Sequence, residues 1–246
     1  MFLVIPEIVL EDGHCSYCIQ GESGMEKHYE KLSDNPDKLC QLWRRENAKA
    51  LHIVDLDSYR GLDNSQNIEL LKYISKSVDI LIQLSTYERP VSKLKEFLDN
   101  GVYRVIVDDI ILEDKEEMRM LIEEYTASRV ALNVEVYRGN AIFGHEESKL
   151  SDIELARHAA DIGINRAYYY DRLLPLGHDL GRILHFAKET KMRITVVEGA
   201  NGHRELIKLQ DKFMDGIDSV TIGKAMYENK FPCQKIWRKI EAELEG

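Results

Sequence analysis

Prolines are scarce. There are five in 246 residues, beside fifteen glycines, and no stretch rich in Pro, Gly or Ser separates one part of the chain from another. This excludes a low-complexity or disordered chain and points to a single domain over residues 1–246. Cysteines are few as well. Four in a chain this long do not make the disulfide framework of a small secreted scaffold. Cys15 and Cys18 stand three apart, but no second pair or close His-x-His follows, and Cys40 and Cys233 are isolated. On a strand, positions three apart face opposite sides, which suits chelation poorly, so no metal site is expected there and no cofactor is implied. No apolar run approaches the roughly 20 residues that span a bilayer. The opening Met1–Gly13 lacks a basic segment and a long apolar core, so it reads as a buried strand rather than a signal peptide. A cytoplasmic protein without a membrane partner is the expectation. Basic charge is in deficit: Lys and Arg total 33 against 43 Asp and Glu, a net charge of -10. That argues against nucleic acid and anionic membranes, which need clustered positive charge, but leaves room for a local pocket holding one phosphate.

What the chain does contain is a repeating alternation. Eight short apolar runs read as strands: Phe2–Ile5, Leu51–Asp55, Asp79–Leu84, Arg104–Val107, Arg129–Asn133, Arg166–Tyr170, Arg193–Val197 and Ser219–Ile222. Runs such as Ile80-Leu81-Ile82 and Val105-Ile106-Val107 are apolar on both faces, as in a buried parallel sheet. Amphipathic helices fall between them. Ser92–Asn100 closes on Gly101, Asp114–Tyr125 opens on an acidic turn, Ser151–Ile162 starts with the capping box Ser151-Asp152-Ile153-Glu154, and Glu205–Met214 ends near Gly216. The halves resemble each other: Gly101–Val107 recurs as Gly216–Ile222, and Asp55 and Asp171 each end a strand. The fold class expected is α/β, a (β/α)8 TIM barrel with a two-half-barrel internal repeat. An open doubly wound sheet would need a Gly-rich loop after the first strand, where Val9-Leu10-Glu11-Asp12-Gly13 stands instead.

In such a barrel the chemistry gathers at the C-terminal ends of the strands. Gly199 and Gly202 after the seventh strand, with Gly223 and Lys224 after the eighth, form a candidate phosphate site. Glycines let backbone N–H groups approach an anion there, and Lys224 adds a charge. Asp55 and Asp171, on quasi-equivalent strands, are candidate acids or bases, with helix capping or ion pairing as the plain structural alternative. The histidines are scattered, and spacing alone selects no Ser–His–Asp set. Tyr168-Tyr169-Tyr170 reads as strand packing, with alternate residues facing opposite sides.

Four segments are identified with a known family: Ile5–Gly13 with Gln20-Gly21-Glu22, Leu51–Asp57, Gly101–Val107, and Val220–Phe231. They occur in order and resemble the histidine-biosynthesis barrels. The resemblance implies a barrel of two half-barrels. It also implies a ribotide isomerisation, which uses a general acid and a general base on a substrate with one phosphate in each half. The departures fall on that machinery. Val9 and Asn133 stand where the family's isomerase has aspartates. Asp171 is kept, but Tyr170 and Leu174-Pro175-Leu176 replace its neighbouring motif. The first phosphate cradle is replaced by Leu84-Ser85-Thr86-Tyr87-Glu88 and Asp108-Asp109, while Gly199, Gly202, Gly223 and Lys224 of the second remain. The expectation is a diverged homologue without the ancestral acid–base pair, binding a singly phosphorylated metabolite at the end of strands seven and eight, as a monomer or with a protein partner. The alternative is an active isomerase on relocated carboxylates (Asp55, Asp171, Glu7 or Glu135). A third reading places a hard cation on Asp57, Asp108 and Asp109.

Overall fold

All eight anticipated runs are strands in a computed structural model of the chain, which describes residues 2–16, 34–144, 146–174 and 178–227. Cys18, Gln20-Gly21-Glu22, His145, Pro175-Leu176, Glu228–Phe231 and Cys233 lie outside the described residues. In chain order the strands are β1 (Leu3–Glu11), β2 (His14–Cys15), β3 (Ala50–Asp55), β4 (Leu81–Ser85), β5 (Arg104–Val107), β6 (Val130–Tyr137), β7 (Asn140–Phe143), β8 (Glu146–Ser151), β9 (Arg166–Asp171), β10 (Arg193–Val196) and β11 (Ile217–Ile222). The helices are α1 (Pro36–Arg45), α2 (Leu56–Arg60), α3 (Ser65–Ser77), α4 (Val91–Asp99), α5 (Ile110–Glu113), α6 (Lys115–Tyr125), α7 (Asp152–Asp161), α8 (Leu180–Thr190), α9 (His203–Gln210) and α10 (Lys224–Tyr227).

Eight strands pair in parallel in the order β1-β3-β4-β5-β6-β9-β10-β11, and β11 returns to β1 with Leu3 opposite Ser219. The sheet is therefore closed, a (β/α)8 barrel. Closure gives each strand two environments. Ile8, Leu10, Leu51, Ile53, Leu84 and Val105 point outward into one apolar layer shared with helix residues such as Leu39, Trp43, Leu94 and Phe186. Ile106, Ala131 and Tyr168 form a separate small cluster on the inward side, with Val197 against it. Much of the remaining interior is polar. Tyr168 and Arg104 both hydrogen-bond Gln83, Thr195 and Ser219 share a 2.7 Å hydroxyl contact, and Arg166 grips Asp218 through both guanidinium nitrogens at 2.7 and 2.6 Å.

The repeat has a structural counterpart. Gly101 and Gly216 both take left-handed φ values, +100° and +110°, where the chain turns from helix into β5 and β11. A side chain would strain that backbone, so glycine stands at both places. The capping box is formed as expected: the Ser151 hydroxyl accepts from the Glu154 N–H, and the Glu154 carboxylate accepts from the Ser151 N–H.

Several boundaries differ from the sequence reading, and one hairpin is added. The first strand continues to Glu11, because Ile8 and Leu10 keep filling the outer layer while Glu7 and Val9 face inward. The last long helix stops at Gln210, and a separate short turn covers Phe213–Asp215. A hairpin, β7–β8, extends β6 beyond the barrel. The tight turn from β6 into β7 is Arg138-Gly139, with φ of +51° and +99°, the mirror-image turn that matches strand twist. Among the described residues no helix is long and apolar enough to cross a membrane.

Candidate functional site

At the C-terminal ends of the strands the barrel opens into a cavity of about 430 Å³. Its walls come from residues of inward parity: Glu7 and Val9 on β1, His52 and Val54 on β3, Ser85 on β4, Asn133 and Glu135 on β6, and Tyr170 on β9. Glu198 and Lys224, from the turns after β10 and β11, complete one side.

The floor is a hydrogen-bonded chain. The Ser85 hydroxyl lies 2.8 Å from His52 Nε2, and His52 Nδ1 lies 2.8 Å from Glu7 Oε2. The same Glu7 oxygen accepts from the Thr221 hydroxyl at 2.9 Å. Burial alone would raise the Glu7 carboxyl. The hydrogen bond and charge of His52, with the Thr221 hydroxyl, outweigh it, so Glu7 is held below the usual glutamate value. His52 thus bridges the Glu7 carboxylate at Nδ1 and the Ser85 hydroxyl at Nε2.

Glu198 stands beside this chain. Its backbone is left-handed, with φ +50°, and its N–H donates to the Thr221 hydroxyl at 3.1 Å. Its Oε1 accepts from the backbone N–H groups of Gly223 at 3.0 Å and Lys224 at 2.9 Å. Its Oε2 is buried, and its carboxyl meets that of Glu7. Burial, then the nearby Glu7 charge, push the Glu198 carboxyl up to about 9, against the pull of the two amides.

Of the phosphate candidates, then, Gly223 and Lys224 meet at Glu198. Gly199 is tied to packing: a Cβ there would fall 2.5 Å from Val196 Cγ1 and 3.2 Å from Val220 Cγ2. Gly202 is the N-cap of α9 in extended backbone, and its missing Cβ would meet only the Glu205 carboxylate at 3.2 Å. Neither Gly199 nor Gly202 lines the cavity.

The candidate aspartates separate. Asp55 is fully buried and accepts from Asn67 Nδ2 at 2.7 Å and Asn64 Nδ2 at 2.6 Å; burial raises its carboxyl. It does not line the cavity. Asp171 accepts from the Leu173 N–H at 2.9 Å, bracing its own turn, and borders a small recess with His178 and Arg182. Glu135 does line the cavity, paired with Arg172, whose Nη2 also donates to the Gly144 carbonyl at 3.1 Å.

The carboxylates considered for a cation are partnered apart from one another. Asp57 accepts from the Asp12 N–H and Asn67. Asp108 accepts from Tyr59 at 2.9 Å and Asn133 at 2.7 Å, and burial pushes it up to about 7 although both hydrogen bonds pull it down. Asp109 takes Arg89 and Tyr87. Among the described residues no group of three or more His, Cys, Asp or Glu side chains has a metal-holding arrangement. Cys40 is buried and Cys15 half-buried.

Spacing did not reveal the Ser85–His52–Glu7 chain or the Glu198 contact. One signal was available: His52 is a polar residue inside the apolar run Leu51-His52-Ile53, so its parity had to face something polar.

A closed parallel barrel with its cavity at the C-terminal strand ends defines the class, a (β/α)8 barrel. A family model described as "Histidine biosynthesis protein" matches residues 3–232, and the chain belongs to that family. Similar proteins include isomerases named for a (phosphoribosylamino)methylideneamino imidazole-4-carboxamide substrate. The one from Chlorobium luteolum is 35% identical over 247 residues, covering 97% of this chain and 94% of the relative. That of Chloroherpeton thalassium is 34% identical, covering 98% and 93%. That of Chlorobaculum tepidum is 32% identical, covering 98% and 94%.

Proposed function

We propose that this chain is a member of the histidine-biosynthesis family that has left the ribotide isomerisation and uses its strand-end cavity to bind a small metabolite. The observation that carries this reading is the cavity wall itself. Val9 and Asn133 line it at the two positions where the resemblance places the isomerase's acids, and neither side chain exchanges a proton. The aspartates that could have taken over are held elsewhere, Asp55 by two asparagines and Asp171 by its own turn. A ligand carrying one phosphate at Gly223 and Lys224 would have to displace the Glu198 carboxyl from both amides.

A second reading keeps the isomerase active on Glu7 and Glu135, because both carboxylates line the cavity. Each is already partnered, Glu7 by His52 and Thr221, Glu135 by Arg172. A coupled assay for isomerisation of the family's ribotide decides between them. The expected rate for the full chain is background, since loss of an acid–base pair costs several factors of ten. A rate above background that disappears in Glu135→Gln or Glu7→Gln would replace the first reading with the second.

A further inference from the structure

The turn after β10 sends a side chain to the place where an anionic ligand's charge would lie. Two consecutive backbone N–H groups, Gly223 and Lys224, converge on one point, as they would on a phosphate oxygen, and the point is occupied by Glu198 Oε1 at 3.0 and 2.9 Å. Three further features mark the arrangement. A Cβ on Gly223 would fall 2.6 Å from Glu198 Oε1 and 3.1 Å from Glu7 Cβ, so the carboxyl fills the space left by the glycine. Glu198 holds a left-handed φ of +50°, a conformation that disfavours any residue with a side chain. Its carboxyl is buried directly beside the Glu7 carboxyl, a costly place for a second acid. Backbone strain and that crowding of two acids are both tolerated to keep Oε1 on the two amides.

We propose that Glu198 is an internal occupant of this anion cradle. Its carboxyl stands where a phosphate would stand, closes the cradle to phosphorylated ligands, and restricts the cavity to polar molecules without a phosphate at this end. The proposal rests on the reading of the cavity as a ligand site and narrows its ligand class.

The test is a titration of the full-length chain with inorganic phosphate near neutral pH, followed by calorimetry and by thermal stabilisation. Glu198→Gly removes the carboxyl and frees the backbone from its side chain. Glu198→Gln keeps an acceptor oxygen on the amides. The expected result is that Glu198→Gly binds phosphate at least about tenfold more tightly than the wild type, a difference of ~1.4 kcal/mol. Glu198→Gln stays as weak as the wild type. Adding Lys224→Glu to the glycine variant removes the gain. Glu198→Ser serves in the same way if the glycine variant is not folded by circular dichroism. Equal binding by wild type and a folded carboxyl-free variant overturns the proposal, as does a gain that survives Lys224→Glu. Isomerase activity in the wild type would end the non-isomerising reading without touching this comparison. Equal phosphate binding would end this inference and leave that reading in place.

Discussion

At neutral pH the Glu198 carboxyl keeps its proton, because burial and the Glu7 charge push it from 4.5 up to about 9. Between these values the folded chain holds a proton at this site that the unfolded chain has released. Stability therefore falls as pH rises through the window. Glu198→Gln cannot titrate and is spared that loss. The melting temperature of the wild type relative to the glutamine variant should drop by more than about 3 °C from about pH 5 to about pH 9, the shift that roughly 1 kcal/mol gives in a chain of this size. Asp108, also raised by burial, titrates in both proteins and cancels in the difference. Parallel melting curves would show that the carboxyl ionises normally. Residue identity alone marked Val9 and Asn133 as non-titratable. It could not show that Glu198 folds back onto amides from the next strand. That contact depends on a left-handed backbone at a residue type that rarely adopts one.

Among the elements, the turn from β10 to α9 separates two roles that glycine plays. Gly199 is pressed against Val196 and Val220, whereas Gly202 has extended backbone and faces only a flexible glutamate. Gly199→Ala should cost about 1–3 kcal/mol in urea unfolding, through overpacking. Gly202→Ala should change stability by less than about 0.5 kcal/mol by the same measurement. Equal effects would mean that the crowding at Gly199 relaxes without cost. The strands were legible because they are apolar on both faces, and α7 was legible because Ser151 and Glu154 carry their capping partners in the sequence. The β7–β8 hairpin was not. The β6–β7 turn that leads into it uses Arg138 where Asn or Asp is the usual sign, and only the paired backbone makes a positive φ at an arginine visible. The end of α9 was overextended because Phe213 and Met214 continue an apolar pattern after the helix has stopped.

For the molecule as a whole, the two ends of the barrel do different work. The cavity opens at the C-terminal strand ends, while at the opposite end Arg166 on β9 and Asp218 on β11 tie strands together through two parallel hydrogen bonds. Asp218→Asn should cost about 2–3 kcal/mol in chemical unfolding, as expected for losing hydrogen bonds to a charged group. It should leave the phosphate response of Glu198→Gly unchanged. A change in that response would show the two ends to be coupled. The barrel, its eight strands and its half-barrel repeat could be read from periodicity and from Gly101 and Gly216. The functional conclusion could not, because the pairing register sets His52 beside Glu7 and Ser85, and closure adds Thr221 from the last strand.

A closed barrel presents no sheet edge to solvent, yet the hairpin restores one here, with β8 as the last strand of the run β6-β7-β8. Such a rim invites a second chain to add a strand. Along β8, Glu146, Glu147 and Lys149 occupy exposed positions. A chain docking there would have to strip water from these charges before any backbone bond formed. The charges thus put a desolvation cost on any strand that would extend the rim.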